Sequence, residues 1–195
     1  MYLFIGLGNP GENFSRNRHN VGFMVIDSIA VKNNFPKFIN KNKSFLSIKN
    51  FDFGKIILLK PNTYMNDSGI SAFKVKSFYN LKNENIYVFH DEIDLEASRI
   101  KVKTSGGNNG HNGLKSLDKY IGNDYHRIRI GIGRPKIQCK GAINEKVSKW
   151  VLSDFSAREK NDWLNDILEK ISNYYEDLVK KNFNDFLTNL YNKKV

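Results

Sequence analysis

The chain has 195 residues, of which 40% are hydrophobic and 26% charged, a balance typical of globular proteins that excludes a disordered or membrane-embedded chain. No apolar run reaches the length of a bilayer span, the N-terminus lacks a signal-peptide pattern, and the single cysteine, Cys139, excludes an internal disulfide framework; together these features predict a cytoplasmic protein. The net charge of +11 points to nucleic acid first and an anionic membrane second, or else to a general abundance of lysine.

Hydrophobic periodicity predicts strands and helices that alternate along most of the chain. The strands are expected at residues 2–7, 44–50, 55–60, 85–90, 99–103 and 125–133, and the helices at 20–35, 70–81 and 112–120. The second and third strands form a plausible hairpin, and Asp67 or Ser68 is the expected N-cap of the following helix.

After Trp150 the pattern becomes helical. Ser156 and Glu159 match a capping box, a long helix is expected to reach about Leu178, and a shorter one covers residues 184–191. We find no internal repeat and no second domain. The fold class predicted is therefore α/β, as a single domain over residues 1–195 with a mixed twisted sheet, flanking helices and C-terminal helices.

The glycines of GLGNPG (residues 6–11) form G-x-G-x-x-G directly after the first predicted strand, a pattern also found in dinucleotide-binding turns. Such a site needs a helix that begins at the third glycine and an acidic residue at the end of a second strand. Here Pro10 precedes the last glycine, and the acid nearest the expected position, about 20 residues on, is Asp27, which lies within a predicted helix. A nucleotide-dependent oxidoreductase is therefore disfavoured. The turn is either structural, or it lets the Asn9 amide and the His19 loop approach a bound backbone.

Three polar segments lie at the ends of predicted strands, at residues 58–69, 89–95 and 106–114. Ligand sites of α/β sheets lie where strand ends and their loops converge. The asparagines, histidine and aspartate of these segments and of the first turn are therefore expected to meet at one edge of the sheet.

Basic residues alternate along two predicted strands. Arg99, Lys101 and Lys103 share one face of the first, and Arg127 and Arg129 share one face of the second. If the two strands are neighbours, these side chains form a basic patch suited to phosphate. The alternative is an ordinary solvated face.

Six motifs occur in a recognisable order: GLGNPG, RHNVGF, KPNTYMNDSG, HDEIDL, GGNNGHNGLKS and HRIRIGIGRP. From Leu3 to about Phe155 the chain closely resembles the bacterial peptidyl-tRNA hydrolase family, whereas the C-terminal helices match only in kind. The resemblance implies a monomeric enzyme of translation and ribosome rescue that cleaves the ester joining a peptide to the terminal ribose of tRNA. It implies recognition of the acceptor stem and 3′ end, with no cofactor, no metal, no membrane and no obligate protein partner.

The resemblance also assigns the catalytic pair. His19 matches the family's catalytic histidine, and Asp91 matches the carboxylate that orients it. A neutral imidazole can take a proton from water at neutral pH, and a carboxylate partner fixes its tautomer. Because no G-x-S-x-G motif is present and no histidine adjoins Cys139, direct attack by water is favoured over an acyl-enzyme.

The resemblance further assigns the substrate-binding residues. Asn9, Asn66 and Asn112 match the asparagines that hold the peptide carbonyl and the water. Tyr64 matches a position on the peptide side, and Phe14 stands where the family usually has tyrosine, which removes one hydroxyl contact.

Lys101, Lys103 and Arg129 match family positions that clamp the tRNA 5′ phosphate, so binding is expected to depend strongly on salt and little on base sequence. Of the other histidines, His90 and His126 are expected to be structural, and His111 is expected to brace Asn112. His90 is not expected to ligate a metal, because strand alternation separates it from its acidic neighbours.

The main alternative is a non-catalytic RNA-binding protein on the same fold, which the basic strands alone would equally allow. The retention of His19, Asp91 and the three matching asparagines favours the enzyme.

Overall fold

Seven strands form one mixed sheet in the computed structural model, which describes residues 1–135 and 143–192. Their order across the sheet is β2-β3-β4-β1-β5-β7-β6. The pairs β1–β4, β1–β5 and β5–β7 are parallel, and the others are antiparallel. The strands are β1 (Tyr2–Gly6), β2 (Ile39–Lys41), β3 (Ser44–Phe51), β4 (Gly54–Pro61), β5 (Ile86–Glu92), β6 (Ile100–Thr104) and β7 (His126–Gly131).

Helices cover both faces of this sheet. They are α1 (Val21–Lys32), α2 (Ser68–Phe78), α3 (Asn112–Ile121), α4 (Ile143–Val151), α5 (Ala157–Glu159), α6 (Asn165–Val179) and α7 (Phe183–Tyr191). Alternate residues of β1 point to two separate cores, because successive side chains of a strand face opposite sides. Phe4 packs with α1, α6 and α7, whereas Leu3 and Ile5 pack with α2 and α3. The predicted α/β class with a mixed sheet is confirmed.

Most predicted elements are present, and the exceptions have physical reasons. All three residues of β2 are exposed, so no apolar alternation marks this short edge strand. The capping box is formed as predicted: the Ser156 hydroxyl accepts from the Glu159 backbone N–H, and the Glu159 carboxylate accepts from the Ser156 N–H. Asp67 occupies the N-cap position of α2, but its side chain makes no capping bond, and the Ser68 hydroxyl instead donates to the Met65 carbonyl. Cys139, which was not expected to act as a nucleophile, lies outside the described residues.

The glycine turn brings α1 unusually close to the sheet. A Cβ atom added to Gly6 would lie 2.3 Å from the carbonyl oxygen of Gly22 in α1, and one added to Gly22 would lie 2.3 Å from the carbonyl oxygen of Phe89 in β5. Only glycine fits at these two contacts, since real side chains do not approach backbone so closely. The glycines therefore serve helix–sheet packing, and they set the start of α1 beside the end of β5.

The edge of the sheet at β6 is covered by the last described helix. The hydroxyl of Tyr191 in α7 accepts a hydrogen bond from the backbone N–H of Ile100 at 2.5 Å and donates to the carbonyl of Ile100 at 3.2 Å. This contact fixes the start of a strand that carries two predicted phosphate-binding lysines. Within residues 1–135 and 143–192, no helix combines the length and the apolar character needed to cross a bilayer.

Candidate active site at the ends of the parallel strands

His19 and Asp91 are in direct contact. Asp91 lies near the end of β5, every residue of which is buried, and His19 lies in the 3-10 turn Arg18–Asn20 immediately before α1, called here the His19 turn. The Nδ1 atom of His19 is 2.9 and 3.0 Å from the two carboxylate oxygens of Asp91. Since a carboxylate accepts only, Nδ1 carries the proton and Nε2 is left as the basic nitrogen.

A second histidine contacts the same carboxylate. The Nδ1 atom of His111 accepts hydrogen bonds from the backbone N–H groups of Gly113 and Leu114, at 3.1 and 3.3 Å, and so caps α3. Its proton must therefore lie on Nε2, which donates to Asp91 Oδ1 at 3.0 Å. The expectation that His111 braces Asn112 missed this contact with Asp91. Sequence spacing gave no sign of it, because the contact depends on how closely α3 approaches β5.

These contacts shift the pKa values of the pair in opposite directions. Burial by itself raises the pKa of the Asp91 carboxyl, but the two imidazoles that donate to it hold the value well below its usual range. Burial by itself lowers the pKa of His19, yet the charge of Asp91 and its hydrogen bond outweigh burial and raise the pKa above 6.5. Asp91, only 3% exposed, is thus an ionised carboxylate that strengthens the base beside it.

The C-terminal segment holds the His19 turn in place. Arg18 is buried, its Nη2 atom lies 2.8 Å from each carboxylate oxygen of Glu159, and Nη1 donates to the Asp154 carbonyl at 2.6 Å. Its guanidinium carbon lies 3.8 Å from the ring centroid of Trp150 in α4. Sequence reasoning did not single out Arg18, because its partners lie more than 130 residues away.

Asn9 is held on three sides. Its backbone N–H donates to Asn20 Oδ1 at 2.9 Å, and its carbonyl accepts from Asn20 Nδ2 at 2.8 Å. Its side-chain Oδ1 accepts from the Met65 N–H at 2.8 Å, which leaves the Nδ2 donor of Asn9 for the cleft. Asn20 was not predicted as a site residue, although it orients one.

His19 lies where two branches of a cleft meet. One branch, the Glu92 branch, is lined by Asp91, Glu92 and residues 108–112. The other, the Tyr64 branch, is lined by the predicted residues Asn9, Phe14, Tyr64, Asn66 and Asn112. The ring of Phe14 packs edge-on against Tyr64, which is 64% exposed. Ser148 and Val151 of α4 border both branches.

The two basic strands are neighbours, as the patch hypothesis required. Lys101 of β6 lies opposite Arg129 of β7, and Lys103 lies opposite Arg127, so all four side chains share the face that α3 covers. Arg127 is only 2% exposed, and its guanidinium bonds to Asp118 and to the Gly107 carbonyl. The expectation that Arg127 adds to the exposed patch was wrong, because this arginine fastens α3 and the preceding loop to the sheet.

Lys101, Lys103 and Arg129 form the basic cluster that remains. Arg99, also expected on this face, lies one residue before β6, with its guanidinium carbon 5.2 Å from the ring centroid of Tyr191. Both lysines are exposed, whereas Arg129 donates from Nε and Nη2 to a single oxygen of Glu92, at 3.0 and 2.9 Å. No carboxylate lies within ion-pair distance of either lysine in the described part of the chain.

The two remaining histidines lie away from the cleft. His90 is fully buried, its Nδ1–H donates to the Asp91 carbonyl, and burial lowers its pKa to about 3, so it stays neutral. His126 bonds to the Thr104 hydroxyl and the Glu84 carbonyl, and burial lowers its pKa as well. Neither lines a branch of the cleft, although the His90 ring packs edge-on against the ring of His111, with 5.1 Å between centroids.

The comparisons with known proteins agree on one family. Residues 3–195 match the family model described as peptidyl-tRNA hydrolase. The peptidyl-tRNA hydrolase of Rickettsia canadensis is 45% identical over 188 residues, which cover 95% of this chain and 97% of that one. That of Rickettsia prowazekii is 52% identical over 160 residues, 82% of this chain and 83% of the relative. The crystal structure of peptidyl-tRNA hydrolase from Acinetobacter baumannii superposes with a TM-score of 0.87 at 32% identity, over 100% of this chain and 96% of that one.

Proposed function

The chain belongs to the peptidyl-tRNA hydrolase family, and from this premise we propose that it hydrolyses the ester between a peptide and the 3′-terminal ribose of tRNA, with His19 as general base. One observation carries the assignment of the base: Nδ1 of His19 is held by Asp91, while the ring lines both branches of the cleft. The imidazole therefore presents its basic nitrogen to a place where water and an ester can meet.

The reaction that follows from this geometry needs no covalent intermediate. His19 Nε2 takes a proton from water as the oxygen attacks the ester carbonyl, and the imidazolium formed is stabilised by the Asp91 carboxylate. The tetrahedral intermediate then collapses, the bond to the ribose oxygen breaks, and the imidazolium returns its proton to that oxygen. A base so placed contributes roughly 10²–10⁴ in rate, or about 3–5 kcal/mol of the barrier.

The asparagines supply donors without adding charge that would compete with the base. We assign the Nδ2 atom of Asn9, whose orientation the Met65 N–H fixes, to the developing oxyanion. Asn66 and Asn112 are exposed on the cleft wall and complete the contacts to the peptide carbonyl and the water. Phe14 and Tyr64 form the apolar wall of the peptide side.

The RNA end enters from the other side. The Glu92 branch leads from His19 toward the basic cluster, so we place the terminal nucleotide in this branch and the tRNA 5′ phosphate on Lys101, Lys103 and Arg129. In an acceptor stem the 5′ phosphate and the 3′ end belong to the same end of one helix. A site that holds both recognises the shape and charge of that end, largely without reading base sequence.

Peptide release tests this function directly. Purified chain added to purified peptidyl-tRNA should yield free peptide and intact tRNA at equal rates. A non-catalytic RNA-binding protein would retard the same tRNA in a gel and leave the ester intact. That result would favour the alternative over the hydrolase.

Chelation of transition metals should leave the rate unchanged. Within the described residues, His19, Asp91 and His111 have possible ligand atoms that lie within 4.8 Å of one another. His111 cannot ligate there, because its Nε2 carries the proton, and two ligands fall short of a tetrahedral protein site. The measurement is peptide release with 1,10-phenanthroline, which spares the magnesium on the tRNA, against its non-chelating 1,7 isomer. Inhibition by the chelating isomer alone would contradict the assignment.

Replacing Lys103 with alanine should weaken binding of 5′-phosphorylated tRNA and reduce the dependence of binding on salt. Loss of one phosphate contact lowers the slope of log K against log salt by about 0.7–0.9. The comparison is with tRNA whose 5′ end is a hydroxyl, for which the substitution should matter less. Lys74→Ala, which removes an exposed lysine from α2, is the matched control. Equal slopes for wild type and Lys103→Ala would remove this lysine from the phosphate site.

A further inference from the structure

Glu92 joins the reaction cleft to the basic cluster. It is the last residue of β5, next to Asp91 in the chain, and is only 6% exposed. Its Oε2 atom accepts both bonds from Arg129, and its Oε1 atom accepts the backbone N–H of Asp94 at 3.1 Å. Both carboxylate oxygens are therefore fixed, and the side chain lines the same branch of the cleft as His19.

This contact alters how Arg129 can bind an anion. An arginine grips phosphate best with two parallel N–H groups, and here the Nε and Nη2 groups already share one carboxylate oxygen. The Glu92 charge also offsets one of the three positive charges of the cluster. The other arginine on this face, Arg127, is balanced in the same way by Asp118, so the two lysines carry the uncompensated charge.

We propose that Glu92 is a positioning residue that limits the affinity of the basic cluster for RNA, through its hold on Arg129, so that tRNA leaves after hydrolysis. This proposal rests on the proposed function, in which the cluster binds the 5′ phosphate. Substrate and product carry the same 5′ phosphate, so higher affinity for this phosphate strengthens binding of both. It therefore slows release of the product tRNA without favouring the reaction. An internal carboxylate lowers that shared affinity without changing the groups that face the ester.

Glu92→Gln separates charge from position. Glutamine has the same shape, and its oxygen can still accept from Arg129, so the arginine stays oriented while the negative charge and the bond from the Asp94 N–H are lost. The probe is deacylated tRNA with a 5′ phosphate, and the dissociation constant is measured over a range of salt concentrations. We expect binding about 10-fold tighter, a salt slope steeper by about 0.7–0.9, and stronger inhibition of peptide release by the same tRNA. Weaker or unchanged binding would overturn the proposal.

Two controls show whether the effect belongs to this contact. Glu96→Gln removes the same charge from an exposed position a few residues away and should change binding less than twofold. In an Arg129→Gln background, Glu92→Gln should no longer tighten binding, because the group it acts through is gone. A full effect in that background would show that Glu92 does not act through Arg129, against the proposal.

The unmodified chain gives a test that does not depend on a variant folding. The Nε–H resonance of Arg129 should be protected by Glu92 in the free protein, and it should keep its position when inorganic phosphate is added. If this N–H instead donated to phosphate, the phosphate would have displaced Glu92 as the acceptor, which would contradict the proposal. The proposed 5′-phosphate site is tested separately. If the wild type bound 5′-hydroxyl and 5′-phosphate tRNA equally well, that site would be refuted, independently of the role of Glu92.

Discussion

Replacement of His19 by alanine is expected to lower the rate of peptide release by roughly 10²–10⁴ while tRNA binding stays within a few fold of wild type. In the proposed reaction the imidazole takes the proton from water, and its Nδ1 is already committed to Asp91. The basic cluster that would bind the RNA lies on β6 and β7 and includes no atom of this ring. His19→Ala should therefore lose the chemical step and keep tRNA binding.

The measurement is a single-turnover rate with saturating protein, beside a dissociation constant for deacylated tRNA. His19→Asn is a useful second variant, since its amide can still donate to Asp91 and keep the turn in place without offering a base of the right pKa. His126→Gln is the matched control, because this histidine is equally buried but bonds to Thr104 and Glu84 instead of lining the cleft. Full turnover by His19→Ala would end the assignment of the general base.

An inactive variant that still binds tRNA would also show how the substrate is bound. If tRNA binding survives in His19→Ala, inactive protein should form a stable complex with intact peptidyl-tRNA. In that complex Asn9, Asn66 and Tyr64 should become protected on the peptide side, because these residues line the branch of the cleft in which we place the peptide.

Local pattern was enough to predict most of the fold. Residues 86–89 (IYVF) form a continuous hydrophobic run because β5 is central in the sheet and buried on both faces. The capping box of Ser156 and Glu159 is a contact between residues three apart. Features of this kind produce a recognisable sequence pattern. The edge strand β2 shows no such pattern, because none of its side chains is buried.

The site shows the same division between short-range and long-range contacts. The convergence of strand ends predicted that His19 and Asp91 lie near each other, and motif resemblance assigned their roles. The bond itself, between residues 72 apart in the chain, is defined only by the packed structure. Two contacts depend on the spacing between β5, β7 and α3, which only the packed structure defines: the bond that His111 donates to Asp91 and the bond that Arg129 donates to Glu92. Arg127 looked like a surface cation for the same reason: strand alternation gives the face of a side chain, but not what covers that face.

Replacement of Asp91 by asparagine should cost nearly as much activity as loss of His19, about 10²–10⁴ in rate, with the fold retained. The Asp91 carboxylate accepts from two imidazole N–H groups, those of His19 Nδ1 and His111 Nε2. Both imidazoles reach Oδ1, at 2.9 and 3.0 Å, and His19 Nδ1 also lies 3.0 Å from Oδ2, so an asparagine at this position places an uncharged amide donor beside His19. The tautomer of His111 is fixed by the backbone of Gly113 and Leu114, and His111 should keep the oxygen.

His19 Nδ1 then faces an oxygen that it shares with His111 and an amide donor, where it had two carboxylate oxygens. We expect Nδ1 to accept from the new amide, which moves the proton to Nε2, so that the nitrogen facing the cleft is no longer a base. The ring nitrogens of His19 in ¹⁵N NMR report this exchange of tautomers directly. Asp94→Asn, an exposed change three residues along the chain, is the matched control and should leave both the tautomer and the rate as in wild type.

The pH dependence gives this prediction a second readout. In wild type the pKa of His19 is raised above 6.5, so the basic form, and with it kcat/KM, increases as the pH rises through that elevated value. In Asp91→Asn the charge and the hydrogen bond that raise the pKa are lost while burial, which lowers it, remains, so the residual activity should rise over a lower pH range. A pH–rate profile identical to that of wild type would mean that Asp91 does not act on His19, and the proposed activation of water would lose its physical basis.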